Sequence, residues 1–245
     1  MRHLIFHLTP IASPAARACW AWHLRQLNHY ADVFDGQRLF AVAAGPGLLP
    51  AEEVASLLPP RSQVISLPNH PELREAYTLP MLLARAFSVA PDDLVFYAHS
   101  KGTSWVGTEL ETTTRWWSLA MYRWLTSGPA IDQLQQFPTV GWLKFQGQTS
   151  MFPAWSKWHY PGTFWWFRAA HVFGRDWWSV FPGRYGAEAY LGTFFEDAAA
   201  ASLYNIPAGS YFTANGLAAP YTRELWAQIP ALTGPDAESY DGSPA

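Results

Sequence analysis

Within the first hundred residues, four short apolar segments alternate with helical segments, and this rhythm constrains the fold more than any other feature. The apolar segments are residues 3–8, 38–44, 63–67 and 94–98. The last of them, LVFYA, is apolar throughout, which is typical of a strand buried on both faces of a parallel sheet. Because strands that alternate with helices form parallel sheets with right-handed crossovers, this part is predicted to be a Rossmann-like α/β half.

The rest of the chain continues as one unit. No internal repeat or linker divides it, so a single domain with one core is predicted for residues 1–232. The remaining residues, 233–245, are rich in Gly, Pro, Ser and Asp and are expected to fray. Pro80 should kink or split the helix that contains it. Helices are predicted at 14–30, 51–58, 69–83, 109–125, 128–137, 169–181 and 187–204, and further strands at 139–145 and 163–168.

Charge and cysteine content exclude several classes of protein. The net charge is −3 and only three lysines are present, which argues against nucleic-acid binding and against a polybasic membrane patch. Cys19 is the only cysteine, so no internal disulfide forms. The opening MRHLIFHLTP is a poor signal peptide, and no apolar stretch reaches the roughly 20 residues of a membrane helix. A cytoplasmic protein is predicted.

Aromatic residues make up 16% of the chain, including 14 Trp. A large aromatic core explains this content. A sugar-binding cleft explains it too, because indole faces stack on pyranose rings and the indole N–H seeks a polar partner. Both interpretations stay open for the tryptophans between Trp105 and Trp178.

The segment DDLVFYAHSKGTSW, residues 92–105, joins a buried strand to a polar cluster. In open α/β sheets, ligands bind outside the carboxyl ends of the strands, where this cluster is expected. A lysine, two hydroxyls and a glycine suit phosphate binding by charge, hydrogen bonds and close backbone approach. An ordinary strand–loop junction is the alternative. The candidate residues are His99, Ser100, Lys101, Gly102 and Thr103.

A second segment, residues 158–191, carries a tight turn at Pro161-Gly162, an aromatic strand and the start of a helix. Glu188 near that start is either a favourable partner of the helix dipole or a general base for a sugar hydroxyl. Arg168 and Arg184 either bind a diphosphate or pair with nearby carboxylates.

Several well-known motifs are absent. The chain has no G-x-G-x-x-G fingerprint, no complete phosphate loop and no G-x-S-x-G elbow. Its eight histidines are scattered, so a zinc site is not predicted.

The two segments together resemble a group of bacterial and viral proteins described as glycosyltransferases. The resemblance is carried by Tyr97-Ala98-His99-Ser100-Lys101-Gly102, by the stretch from His159 to Arg168 (HYPGTFWWFR), and by Ala187-Glu188. It covers residues 92–191 well and the N-terminal third only in its strand–helix rhythm. The second segment is also similar to the late region of nucleotide-sugar transferases of the GT-A fold.

This resemblance implies a GT-A-like α/β fold with a mixed, mainly parallel sheet and a nucleotide-sugar donor with a carbohydrate acceptor. It places Gly162, Trp165 and Trp166 at the cleft and Glu188 at the base position, and His159 is a further candidate for substrate binding. The D-x-D metal motif of that family is missing, and His99-Ser100-Lys101 stands in its place. Transfer without a metal is therefore expected, with Lys101 and His99 stabilising the leaving group, although use of Mn²⁺ or Mg²⁺ stays open.

Two other functions are compatible with these residues. One is a non-catalytic sugar-binding or glycan-binding module on the same fold. The other is a glycoside hydrolase, which needs two carboxylates across a cleft and would have to recruit Glu109 or Glu111 beside Glu188.

Overall fold

The computed structural model describes residues 1–146 and 156–205, and the predicted fraying tail lies outside them. Two single-turn 3-10 helices, Ala31–Val33 and Asp197–Ala199, accompany the main elements. The strands are β1 (Arg2–Leu8), β2 (Arg38–Ala44), β3 (Ser62–Pro68), β4 (Leu94–His99), β5 (Thr139–Gln146), β6 (Trp158–His159), β7 (Trp165–Arg168) and β8 (Ala200–Asn205). The helices are α1 (Pro14–His29), α2 (Ala51–Ala55), α3 (Glu75–Ala86), α4 (Glu111–Leu125), α5 (Gly128–Gln133), α6 (Ala169–Phe173) and α7 (Gly186–Phe194).

The strands form one sheet in the order β3-β2-β1-β4-β7-β5-β6, and β8 pairs with β5. Strands β1 to β4 are mutually parallel. Strand β7 runs antiparallel to both β4 and β5, whereas β5 and β8 are parallel to each other. The predicted fold class, a mixed and mainly parallel sheet flanked by helices, is therefore confirmed.

The strand order reverses at β1. The chain first moves from β1 outward to β2 and β3, and then returns to place β4 on the other side of β1. Such a reversal opens a crevice at the carboxyl ends of the two central strands.

The core fills both faces of this sheet. Successive side chains of a strand point to opposite faces, so Leu4 and Phe6 join one apolar cluster and Ile5 joins the other. Helices α1 and α4 contribute to the first cluster, and α3 and α7 contribute to the second. All of β1 after Arg2 is buried, as expected for a central parallel strand.

The helices predicted for 51–58 and 128–137 end early, at Ala55 and Gln133, and three other predicted helices differ more from the structure. The helix predicted to begin at residue 69 begins at Glu75, and Pro80 lies inside it without splitting it. The helix predicted for 169–181 ends at Phe173. The helix predicted for 187–204 ends at Phe194, and Ala200–Asn205 is instead a strand paired with β5. Pairing along a central strand outweighs the helix propensity of the alanines there.

None of the helices in the two described stretches combines the length and the apolar character that crossing a bilayer requires.

Candidate functional site

A cavity of about 280 Å³ opens at the carboxyl ends of β1 and β4, where the strand order reverses. Its walls come from the segments that follow these two strands and from the beginnings of α3 and α7. The predicted site residues that line it are His99, Ser100, Lys101, Gly102, Thr103, Arg184 and Glu188. The two halves of the sequence that were predicted to carry chemistry therefore meet in one hollow.

Ser100 ties the two central strands together at the floor of this cavity. Its backbone N–H donates to the His7 carbonyl (2.9 Å), and its Oγ accepts from the Thr9 N–H (3.0 Å). The Thr103 hydroxyl donates to the Ser100 carbonyl (2.7 Å). These hydrogen bonds fix the path of the loop that presents Lys101.

The backbone of Lys101 is hydrogen-bonded to His23 of α1. Burial lowers the pKa of His23 to about 3, so its ring is neutral. Its Nε2 donates to the Lys101 carbonyl (2.7 Å), and its Nδ1 accepts from the Tyr122 hydroxyl (3.0 Å). Gly102 follows with a φ of 92°, a conformation that favours glycine and turns the loop sharply.

The Lys101 ammonium lies 5.1 Å from the centroid of the Trp117 ring. Among the described residues, no carboxylate forms an ion pair with it. Burial lowers the pKa of Lys101, and the charges of Glu188 and Glu75 oppose this effect. A cation of this kind, largely desolvated and without an anionic partner, is suited to bind an anion.

Arg184 supplies a second cation at the rim. Its guanidinium lies 5.8 Å from the Trp105 ring centroid and 5.5 Å from that of Tyr185. The part of the chain that the structure describes offers it no carboxylate at ion-pair distance. The stacked rings steer the guanidinium while leaving its N–H groups for a ligand.

Glu188 lies in the first turn of α7, where the helix dipole favours a negative charge. Its Oε1 accepts a hydrogen bond from the Gly162 N–H (3.2 Å). Gly162 has a φ of 92°, and a Cβ at this position would lie 2.8 Å from the Met121 Sδ. The turn that presents this N–H to Glu188 therefore requires glycine.

A residue that the sequence analysis missed, Glu75, also lines the cavity. Its Oε1 is 2.8 Å from the His99 Nδ1, and the His99 Nε2 is 3.2 Å from the Gly162 carbonyl oxygen. Although burial acts to raise the pKa of Glu75, the charge and hydrogen bond of His99 hold it well below its usual range. Arg74 has a φ of 49° and immediately precedes α3, so the helix begins at Glu75, and this places Glu75 beside His99.

His7 completes the polar layer beneath these groups. Burial lowers its pKa to about 4, so the ring is neutral. Its Nδ1 is 2.8 Å from the Thr78 hydroxyl, and its Nε2 is 2.9 Å from that of Thr9. Both ring nitrogens of His7 are thus engaged by threonine hydroxyls at the wall of the cavity.

Trp165 and Trp166 do not form a wall of the cavity, which corrects the sequence expectation. Both side chains are fully buried. Trp165 packs against Tyr97 and Tyr190 on one face of the sheet, and Trp166 donates its indole N–H to the Leu125 carbonyl (2.7 Å) on the other. Because β7 is covered on both faces, neither alternating side chain reaches solvent.

Arg168 and His159 also lie away from the cavity. Arg168 pairs in register with Leu94 at the amino end of β4, and its Nε donates to the Leu134 carbonyl (2.5 Å). The antiparallel direction of β7 places its last residue at this opposite end of the sheet. His159 is buried in β6 and stacks on Phe145, with ring centroids 5.8 Å apart.

The residues of the cavity do not fit a divalent-cation site. Hard cations need several carboxylate or carbonyl oxygens, but Glu75 is paired with His99, and Glu188 has only Oε2 outside its hydrogen bond with Gly162. Residues 1–146 and 156–205 contain no group of three His, Cys, Asp or Glu side chains arranged to hold a metal.

The chain was compared with protein-family models, curated proteins and solved structures. No protein-family model matches the chain, and no curated protein shows a significant sequence match. One matching solved structure, from Desulfovibrio desulfuricans G20, carries the provisional description nucleotide-diphospho-sugar transferase (TM-score 0.43, 14% identity, 94% of this chain and 97% of that chain covered). Another is a 4-diphosphocytidyl-2C-methyl-D-erythritol synthase (TM-score 0.45, 13% identity, 94% and 99% covered). Likenesses of this size carry no argument about activity.

Proposed function

We propose that this chain is a glycosyltransferase-like enzyme that binds a nucleotide-activated sugar in the cavity and transfers the sugar to a carbohydrate acceptor. One observation carries the proposal: two cations without anionic partners, Lys101 and Arg184, share a cavity with the Glu188 carboxylate at the reversal of strand order. This is the place where open α/β sheets bind their ligands.

The two cations suit the diphosphate of the donor. The bond between the anomeric carbon and the diphosphate oxygen breaks during transfer, and negative charge develops on the departing nucleoside diphosphate. Lys101 supplies a point charge, and Arg184 supplies a planar set of N–H donors. Their charge replaces the stabilisation that a metal ion provides in other transferases of this chemistry.

Glu188 is assigned to the acceptor. Its carboxylate takes the proton of the acceptor hydroxyl while that oxygen forms the new bond to the anomeric carbon. Attack from the side opposite the leaving diphosphate inverts the configuration at that carbon. The Gly162 N–H orients the carboxylate by occupying Oε1, which leaves Oε2 as the oxygen that receives the proton.

A glycoside hydrolase is disfavoured by the second carboxylate of the cavity. A hydrolase needs one carboxylic acid that stays protonated near neutral pH. Glu75 cannot be that acid, because His99 holds its pKa well below the usual range. It is also engaged as an ionised partner by the His99 Nδ1 (2.8 Å), which disfavours it as the attacking carboxylate. The alternatives Glu109 and Glu111 are not among the residues that line the cavity.

The first experiment is a thermal-shift screen of the full chain against UDP-, GDP-, TDP- and CMP-linked sugars, with and without Mn²⁺. A donor at about 100 times its Kd adds roughly 2.7 kcal/mol to the free energy of unfolding, which raises Tm by about 5–10 °C in a chain of this size. Transfer or donor hydrolysis is then assayed in excess EDTA.

Activity that survives EDTA supports the metal-free mechanism, and complete loss restored by Mn²⁺ contradicts it. Donor binding without any turnover would favour a non-catalytic module on this fold. Binding of free glycans with no binding of any nucleotide sugar would overturn the proposal as a whole.

A further inference from the structure

The hydrogen bonds around His99 determine how many protons its ring carries. The Nδ1 faces the Glu75 carboxylate and the Nε2 faces the Gly162 carbonyl, and both of these groups only accept hydrogen bonds. Glu75 remains ionised, because His99 holds its pKa low. Both acceptors are satisfied at once only when the ring donates from both nitrogens, as an imidazolium does.

The same hydrogen bonds leave His99 without an N–H for a substrate. Both ring nitrogens are engaged within the protein, and the positive charge of the ring is balanced by Glu75. His99 therefore cannot serve as a direct phosphate donor in this arrangement, in contrast to Lys101, whose ammonium meets only the Trp117 ring among the described residues.

His99 contacts the Gly162 carbonyl, and Gly162 makes two hydrogen bonds that matter for the site. Its carbonyl accepts from His99, while its N–H donates to the Oε1 of Glu188. One residue in a left-handed turn thus links the imidazolium to the proposed base. The chain of contacts runs from α3 through the end of β4 and the turn before β7 to the first turn of α7.

We propose that Glu75 and His99 are positioning residues: the Glu75-bound imidazolium holds the Gly162 turn, and this turn orients the carboxylate of Glu188 toward the cavity. That the orientation of Glu188 serves turnover rests on the proposed function. The protonation of His99 and the order of the Gly162 turn are independent of that function. Donor binding belongs to Lys101 and Arg184 and is independent of this link.

The groups that face His99 from neighbouring elements are consistent with a fixed charge on its ring. From α3 comes the Glu75 carboxylate. From β1, paired in register with β4, comes His7, which is neutral because burial lowers its pKa to about 4. From β7's side, Phe164 presents its ring at 5.9 Å. Glu75 is the carboxylate in contact with the ring, the neutral His23 of α1 lies near it, and Glu188 binds the N–H of the same Gly162 turn.

The test compares Glu75→Gln with Glu72→Gln. Glu72 is an exposed carboxylate in the segment just before α3, so it is a matched control. In Glu75→Gln the amide can rotate to donate to Nδ1, which leaves a neutral ring that donates only from Nε2. The full chain labelled with ¹⁵N-histidine is measured at pH 7.5, and loss of signals in His99→Gln identifies the ring.

In the wild type and in Glu72→Gln, both ring nitrogens of His99 are expected to be protonated, and in Glu75→Gln only one. Hydrogen exchange of the Gly162 amide should be at least about fivefold faster in Glu75→Gln. Turnover should fall about tenfold or more, with the affinity for UDP-sugar or another bound donor unchanged within about twofold.

A wild-type His99 ring with a single proton, or two protons on the ring in Glu75→Gln, would overturn the inference. So would turnover in Glu75→Gln equal to that of Glu72→Gln. Because the wild-type measurement does not depend on Glu75→Gln, poor folding of that variant still leaves a decisive result. If no nucleotide sugar binds, the proposed function fails, while the ring spectrum and the Gly162 exchange still test the link.

Discussion

The protein contains two histidine–carboxylate pairs at opposite ends of its two central strands, and they differ in what surrounds them. At the amino end, His3 on β1 contacts Asp93 (Nε2 to Oδ2, 2.9 Å). At the carboxyl end, His99 on β4 contacts Glu75 (Nδ1 to Oε1, 2.8 Å). The residue types and distances are nearly the same.

The second nitrogen of each ring makes the difference. The His3 Nδ1 accepts a hydrogen bond from the Gln37 N–H (2.9 Å), so one proton on the ring satisfies both contacts. The second nitrogen of His99 faces a carbonyl instead, so its ring needs two protons. The two pairs thus differ in what the second ring nitrogen meets, which is a backbone N–H at the amino end and a backbone carbonyl at the cavity. Similar histidine–carboxylate contacts have a structural role at one end and a proposed functional role at the other.

The largest effect is expected for Glu188→Gln. The amide oxygen can still accept from the Gly162 N–H, but the side chain cannot take a proton. Turnover should fall by about 10²–10⁴, with donor affinity nearly unchanged. Steady-state kinetics and calorimetry measure the two quantities separately.

Glu111→Gln is the matched control for this substitution. Glu111 also lies in the first turn of a helix and also accepts from a glycine N–H, that of Gly107 (2.7 Å), but it does not line the cavity. Equal turnover in the two variants would remove Glu188 from the role of base.

The sequence predicts one part of this site well, for a physical reason. Buried parallel strands are recognisable from their apolar composition, and their carboxyl ends must meet at one edge of the sheet. Lys101 and the residues around it follow such a strand, so their place could be predicted. Glu188 could be placed from the turn and helix start that precede it.

Other parts depend on geometry that the sequence does not display. Trp165 and Trp166 alternate along a strand, but only the structure shows that both faces of that strand are covered. Arg168 was expected near the ligand, yet the reversed direction of β7 carries it to the opposite end of the sheet. Glu75 was hidden because the unusual backbone of Arg74 delays the start of α3.

A second expected effect concerns ligand binding in the cavity at the carboxyl ends of β1 and β4. Lys101→Met removes the charge and keeps most of the side-chain volume, so UDP affinity measured by calorimetry should fall roughly 10–100-fold. The free energy of unfolding should not fall, because the buried ammonium bears a desolvation cost that the thioether does not.

The control is Lys157→Met. The Lys157 ammonium is exposed and paired with Glu196 (2.5 and 2.6 Å), and it lies outside the cavity. UDP affinities that agree within twofold for Lys101→Met and the wild type would show that the cavity does not use this cation for the diphosphate.

The smallest expected effect lies at the amino end of the central strands, at the His3–Asp93 pair, and concerns stability alone. Although burial acts to raise the pKa of Asp93, its hydrogen bonds with the Met1 amino group and His3 lower it from 3.8 to about 2. A depressed carboxyl pKa stabilises the folded state above pH 4, and this stabilisation is lost as the pH falls toward 2.

In a chain that begins at Met1, Asp93→Asn should therefore lower the free energy of unfolding by about 1–2 kcal/mol at pH 7. The amide retains some of the hydrogen bonds, which keeps the loss below the full value. The difference from the wild type should shrink steadily between pH 4 and pH 2, as measured by urea unfolding. Asp92→Asn, which replaces a side chain that is 99% exposed, should show almost no difference at any pH.

Because the His3–Asp93 pair lies at the opposite end of the central strands from the cavity, UDP affinity in Asp93→Asn should be unchanged at pH 7. A loss of affinity in Asp93→Asn would mean that the two ends of the sheet are coupled and that the contrast between them does not hold.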